Sequence, residues 1–545
     1  MTTRTLLALL LLPAAAASQG LNASGGELIA EQACYDVQSY DLTLRVEPAD
    51  QTIEGSLAME AVATAPTRRV ALDLDDHLEV REVRSEPAGT WKVDGRRIFV
   101  DLASEVPPGN GLRVTVDYGG TPREAPRPPW DGGFTWSETK DGSPWIATSC
   151  QGEGADLWWP CKDHPSDKPA RMGLNITVPE GLVCATNGVL LSEETNDGAT
   201  TWRWETRSPA SNYAIALNIA PYRVLESSWT SVGGEEVPVF FYVLPEHEEQ
   251  GRERLPEFIA HMRFFEELLG PYPFRSEKYG VAETPHLGME HQTIIAYGYN
   301  FQHNAFGYDW LHHHEAAHEW WANLVTCSDW KDMWIHEGFG TYMQALYVER
   351  LKGMKGLRRE LANQRRGMRN RRAVAPRDTH DSKQIYFGPD GAFDNDIYNK
   401  GSLVLHTLRW QMGDEDFFRA LRTFAYPDEA HRKATDGSQV RLVDTEDFVQ
   451  LCEGIEEADL GWFFEVYIRQ PKLPELEVER SGSNVKLRWN AAAAPFPLDV
   501  PVRVTKGEKR RDVRVTMEGG AGTLKLARGE EFEIDPDLWL LRKPR

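Results

Sequence analysis

Positive charge is in short supply in this chain. Its 60 lysines and arginines face 83 aspartates and glutamates, a formal net charge of −23 over 545 residues. A surface of that sign repels a phosphate backbone, so nucleic acid is not expected as a partner, and the charge mainly favours solubility. Cysteine is sparse as well. The six present are Cys34, Cys150, Cys161, Cys184, Cys327 and Cys452, and none forms a Cys-x-x-Cys ligand spacing. Their pairing stays open between bridges and buried thiols, since six cysteines allow about fifteen full pairings. Long apolar runs are missing too. Leu6 to Leu12 is the main apolar stretch, far short of the roughly 20 residues a bilayer span needs. No internal repeat or low-complexity tract is evident.

The short apolar stretch has a context. Arg4 precedes it, and Ala14 to Ser18 supplies small residues after it. This is the layout of an export signal over residues 1–19, with cleavage near Ala17 or Ser18. No cysteine sits at that point, so no lipid anchor is expected there. The protein is expected to be exported, to a periplasm or to the medium.

A hydrophobic content of 41% and 18 tryptophans indicate a packed globular protein, too long for one core. The reading is an α+β multidomain chain. Over 28–222, Tyr40, Leu42, Leu44 and Val46 alternate with polar residues, as do Leu112, Val114, Val116 and Tyr118. Period-two alternation predicts an antiparallel β-sandwich. Over 223–470 the period changes. Leu255, Phe258, Ile259, Met262, Phe265 and Leu269 fall at helical spacing, and a strand is expected at 279–283. After Pro471 and Pro474 alternation returns, in Val485 and Leu487 and again in Val502 and Val504. A small C-terminal β-sandwich over 475–545 is expected.

The chemistry lies in His314-Glu315-Ala316-Ala317-His318, with Glu337 following. Residues i and i+4 share a helix face, so two imidazoles can reach one ion. Two histidines and a later glutamate are the three-ligand set of a catalytic zinc site with one position left open. One Zn2+ per chain is expected. Glu315 beside the site is the candidate general base. The helix is expected to run on through Trp320 and Trp321 to Val325. His312 and His313 are read as neighbours of the site, not ligands.

These residues and several other segments resemble the gluzincin aminopeptidases, the group containing aminopeptidase N and leukotriene hydrolase. Trp159 to Pro165 resembles the family's Pro-Cys-x-Asp-x-Pro stretch. Asn323-Leu324-Val325-Thr326 resembles its Asn-Leu-Val-Thr, Leu287 to His291 its Gly-x-Met-Glu-Asn motif, and Tyr398 to Gly401 its Tyr-x-Lys-Gly segment. The likeness covers roughly residues 35 to 470, and is to a short form without the family's large C-terminal helical domain. There are departures. Leu287 stands where the motif has Gly, His291 and His336 where the family has Asn, and Ala322 where it has Gly.

The resemblance implies a thermolysin-like catalytic domain and the release of N-terminal residues from peptides. It implies that Tyr398 serves the oxyanion, and that Glu290 and Gln151 hold the substrate's free α-ammonium beside Gly288 and Met289. An endopeptidase of thermolysin type would need neither Glu290 nor Gln151. An inactive peptide-binding scaffold would not need the base. The oligomeric state and the preferred N-terminal residue are not legible.

Overall fold

The computed structural model describes residues 23–388 and 391–544. The export segment at 1–19 lies outside them. The chain shows the expected α+β multidomain organisation, sheets first, then a helical body, then sheets again.

The first part is built on a seven-stranded sheet. In spatial order its strands are Val189–Asn196, Ala199–Thr206, Arg171–Pro179, Tyr35–Glu47, Thr52–Ala63, Gly111–Gly120 and Leu78–Glu86. Tyr40, Leu42, Leu44 and Val46 point into the core, all fully buried, because side chains alternate across a strand. Smaller sheets lie with it, including one formed by Gly133–Glu138, Pro144–Ser149, Asn218–Ala220 and Val183–Ala185. Trp158 and Trp159 are buried between these layers, Trp159 edge-on to Tyr40 at 4.9 Å. One pairing departs from the antiparallel expectation: Tyr35–Glu47 runs parallel to Arg171–Pro179. Alternation reports which face is buried and is blind to strand direction.

A five-stranded mixed sheet follows, in the order Arg223–Thr230, Glu236–Val243, Tyr279–Glu283, Ile295–Tyr297, Gly288–Met289. Helix Glu248–Leu269 packs on it through Leu255, Phe258, Met262, Phe265 and Leu269. The last strand is only two residues long and lies at the sheet's edge, paired on one side through Gly288 with Tyr297 and Met289 with Ala296. Helices Trp310–Ala317, Trp334–Gly367 and Asp396–Met412 complete the walls of the cavity that this edge faces.

The C-terminal part is two three-stranded sheets, Glu475–Ser481 with Asn484–Asn490 and Ala521–Lys525, and Lys509–Val515 with Val500–Lys506 and Glu531–Ile534. It is fastened to the helical body. Tyr467 donates to the Leu541 carbonyl at 2.8 Å, Trp410 to that of Asp499 at 2.8 Å, and His406 stacks on Trp539 at 4.5 Å. All six cysteines are free thiols, five of them buried.

Candidate metal centre and peptide cleft

Helix Trp310–Ala317 begins with Asp309 as its cap, whose side chain accepts from the His312 amide. Such a cap satisfies a donor that the first turn leaves open. The helix does not continue to Val325 as the sequence pattern suggested. It ends at Ala317, and the chain passes through a wide turn over Glu319–Leu324 in which Trp321 (φ −104°, ψ 62°) and Ala322 (φ 166°, ψ −53°) leave helical geometry. The break has a purpose in the site: it turns the Trp321 carbonyl onto His318 Nδ1 at 2.9 Å. That contact assigns the proton to Nδ1 and leaves Nε2 as a lone-pair donor. The φ of Ala322 is extended backbone that any residue adopts, so no glycine is needed there.

His314 Nε2 and His318 Nε2 lie 3.3 Å apart, and Glu337 Oε2 is 3.5 Å from the first and 3.4 Å from the second. Ligands about 2.0–2.1 Å from a tetrahedral zinc ion stand roughly 3.3 Å from one another. The triangle therefore has the size of a zinc face. Glu337 Oε2 is buried without a hydrogen-bond partner, an orphaned acceptor aimed where a cation would sit. Burial by itself would raise the Glu337 carboxyl, but the imidazoles of His314 and His318 beside it hold it below the ordinary carboxylate range. Burial likewise opposes charge on His318, yet without a cation Glu337 lifts its pKa to about 10, so Nε2 holds a proton that a bound cation would displace. The site is electrostatically starved of positive charge, and these donors fit zinc.

The other oxygen of Glu337 is well held. Oε1 accepts from the Tyr398 hydroxyl at 2.8 Å, from Tyr386 at 3.1 Å and from Gln151 Nε2 at 3.4 Å. Tyr386 was not singled out from sequence, and nothing local marks it. His312 and His313 face away from the triangle. His312 meets the Tyr279 hydroxyl at 2.6 Å and stacks on Phe258 at 3.6 Å, while His313 packs among Phe265 and Tyr347.

Glu315 is buried beside the triangle. Burial first and the nearby Glu290 second push its carboxyl well above the ordinary value. Gly288 lies against it: a Cβ there would come within 2.7 Å of Glu315 Oε1. Any side chain at 288 would displace the base. Glu290, next on the same segment, is buried, and burial raises its pKa to about 7. It accepts from Gln151 Nε2 and from the Tyr213 hydroxyl at 3.1 Å. Donor atoms of Glu290, Glu315 and His318 all lie within 4.8 Å of one another. Met289 and Leu287 line the same cavity of about 670 Å3. His291 and His336 are both buried and absent from the wall of that cavity. His336 Nε2 instead accepts from the Cys327 amide at 2.9 Å.

Two family models match the chain. The M1 peptidase N-terminal domain covers residues 37–214 and the peptidase family M1 domain residues 281–466. Among curated relatives, aminopeptidase M1-B of Oryza sativa subsp. japonica is 27% identical over 72% of this chain and 46% of its own length. Aminopeptidase N of Streptomyces lividans is 26% identical over 70% of this chain and 44% of its own. The chain thus spans about half the length of the curated relatives it matches. An M1 zinc metallopeptidase from Deinococcus radiodurans has a similar fold, with a TM-score of 0.66 at 24% identity, over 83% of this chain and 95% of that one. A mutant of that enzyme has been solved with a Tyr-Ser-Ala substrate bound.

Proposed function

The chain belongs to peptidase family M1, and we propose that it is an aminopeptidase holding one zinc ion per chain and releasing N-terminal residues from peptides. His314, His318 and Glu337 hold the ion. When bound, zinc polarises the scissile carbonyl and lowers the pKa of a water toward about 7. Glu315 takes a proton from the attacking water and returns it to the leaving amine. Tyr398, whose hydroxyl is 2.8 Å from Glu337 and faces the cavity, donates to the oxyanion that develops on the substrate carbonyl. Gly288 and Met289 form an edge strand with one side unpaired, a template on which an extended peptide can add as a further strand.

The observation that carries the exopeptidase reading is the place of Glu290. Its carboxylate oxygen is within 4.8 Å of a ring nitrogen of the metal-binding His318, and a single extended residue spans about 3.3–3.6 Å. An α-ammonium held by Glu290 and Gln151 therefore leaves room for one residue before the reacting carbonyl. The relatives named aminopeptidase and the family's zinc support the same reading. The test is mass spectrometry of one peptide digested with and without an N-terminal acetyl group. Stepwise loss from the free N-terminus alone is expected. Efficient internal cleavage of the capped peptide would assign the site to an endopeptidase. Glu290→Ala should lower kcat/KM for free peptides by about 2–5 kcal/mol in transition-state terms, because it leaves the ammonium buried and unpaired.

The reading extends to location. Arg4, Leu6 to Leu12 and Ala14 to Ser18 support export with removal of the leader. Among the described residues no helix is long and apolar enough to cross a membrane. Recovery of the protein from the medium or periplasm with an N-terminus near residue 19 is expected; recovery of the intact leader from the cytosol would refute this.

A further inference from the structure

We propose that Arg127 is a binding residue for a carboxylate carried by the substrate, at the mouth of the cavity described above; the assignment rests on the aminopeptidase reading. Four carboxylates line that cavity, Glu290, Glu315, Glu337 and Glu360, against a single guanidinium, that of Arg127. Among the described residues no carboxylate stands within ion-pair reach of it. The cationic side chains nearby in sequence or space are taken: Arg123 pairs with Asp131 at 2.6 Å and Lys383 faces Glu153 at 3.7 Å.

Arg127 is exposed and its long side chain is free to turn, but the loop that roots it at the mouth is braced. Arg127 and Asp131 exchange backbone hydrogen bonds of 3.3 and 3.0 Å, closing a hairpin whose tip is Pro128, Pro129 and Trp130. Two prolines fix two of its φ angles. The following Gly132 amide donates to the buried Glu153 at 2.7 Å. A Cβ at 132 would fall 2.2 Å from the Ser149 carbonyl oxygen, so the loop passes closer to its neighbour than any other residue permits. The tip adjoins Gly152, whose Cβ position is 3.6 Å from the Trp130 carbonyl, and Gly152 follows Gln151, the amide that reaches Glu290. Trp130 is 43% exposed and lines the same mouth.

The tip therefore offers a planar fork of donors and an exposed aromatic face next to the ammonium site. A carboxylate is what such a fork matches bidentately. A peptide carries that group in two places, the side chain of an acidic N-terminal residue and the C-terminus of a short peptide. Either would be repelled by the rest of the cavity and held by Arg127.

The experiment compares kcat/KM in two substrate pairs, glutamyl against glutaminyl p-nitroanilide, and trialanine against its C-terminal amide. Full-length zinc-loaded protein is used, native, R127Q and R127K. In at least one pair the preference for the carboxylate-bearing member should fall roughly tenfold in R127Q, the worth of one charged hydrogen-bonded contact. R127K should recover part of it. In the native enzyme the preference should shrink as salt is raised. The pair that responds identifies the source of the carboxylate. Calorimetry with Glu315→Gln protein, with and without R127Q, should show the same loss as a weaker Kd for the responding ligand. Ratios unchanged by R127Q, in an enzyme that releases N-terminal residues from both members, overturn the assignment and leave the aminopeptidase reading intact. A native enzyme that releases no N-terminal residue overturns both.

Discussion

Gly338 and Gly401 meet backbone to backbone. A Cβ on Gly401 would lie 2.9 Å from the Gly338 Cα, and one on Gly338 would lie 3.0 Å from the Gly401 Cα. Helices Trp334–Gly367 and Asp396–Met412 cross at this point, one carrying Glu337 and the other Tyr398. The close approach is what lets the Tyr398 hydroxyl reach Glu337 at 2.8 Å.

Gly401→Ala should force these helices apart. Inserting a methyl group into a packed contact costs about 1–3 kcal/mol, to be read as a lower denaturant midpoint. Because the displaced helix carries Tyr398, kcat should fall further than the stability loss alone accounts for at a temperature where the variant is folded. Native kcat in a destabilised Gly401→Ala protein would show that the crossing does not position Tyr398.

Removing metal with a chelator should abolish turnover, and zinc should restore it. Bound metal stabilises the native state by mass action, so the chelated protein should also melt at a lower temperature. Glu315→Gln should keep the metal and the higher melting point while losing at least about a hundredfold in kcat. Loss of zinc from Glu315→Gln would mean that the base and ligand assignments are confused.

The two tyrosines on Glu337 should separate in their effects. Tyr398 is half-buried and borders the cavity, while Tyr386 is 5% exposed. Tyr398→Phe, like Tyr386→Phe, gives up a hydrogen bond to Glu337 and should lose zinc affinity to a similar degree. At saturating zinc it should bind peptide normally and lose about 3 kcal/mol of transition-state stabilisation, as single oxyanion donors do. Tyr386→Phe removes a hydrogen bond to a metal ligand, and should show mainly a loss of zinc affinity, about 10–100-fold. Equal kcat losses in the two variants at saturating zinc would remove the distinction.

Asp535 gives a pH prediction away from the site. Burial raises its carboxyl to about 6, partly offset by the amides of Leu540 and Trp539 that donate to it. The folded value is above the unfolded one, so the folded state keeps a proton that the unfolded chain has released. The associated stability is present below about pH 4 and is lost as pH rises through about 6. Asp535 has φ +53°, a conformation Asn tolerates, so Asp535→Asn keeps the backbone and removes the titration. Relative to that variant, native stability should fall by up to about 3 kcal/mol between pH 4 and pH 6. A difference that is flat over this range would show that the carboxyl titrates normally.

Much of the fold was legible because burial leaves a periodic trace. Tyr40 to Val46 and Leu255 to Leu269 each report one buried face, and the structure buries those faces. The direction of Arg171–Pro179 against Tyr35–Glu47 left no such trace. Nor did the end of the His314 helix. Its continuation is as apolar as its body, and the break at Trp321 answers to a carbonyl wanted by His318, a demand absent from local propensity.

By itself the sequence determined the parts whose geometry is local. His314 and His318 face one way because a helix turn places them so, and Glu315 sits beside them for the same reason. The tertiary structure decided everything that joins distant segments. It brought Gln151 and Tyr213 onto Glu290, laid Tyr386 and Tyr398 on Glu337, and set Arg127 at the mouth of the cleft. Such contacts depend on how close two backbones can come, as at Gly338 and Gly401, and on which strand ends a sheet, as at Gly288 and Met289. Those are properties of packing, and a residue's neighbours in the chain do not carry them.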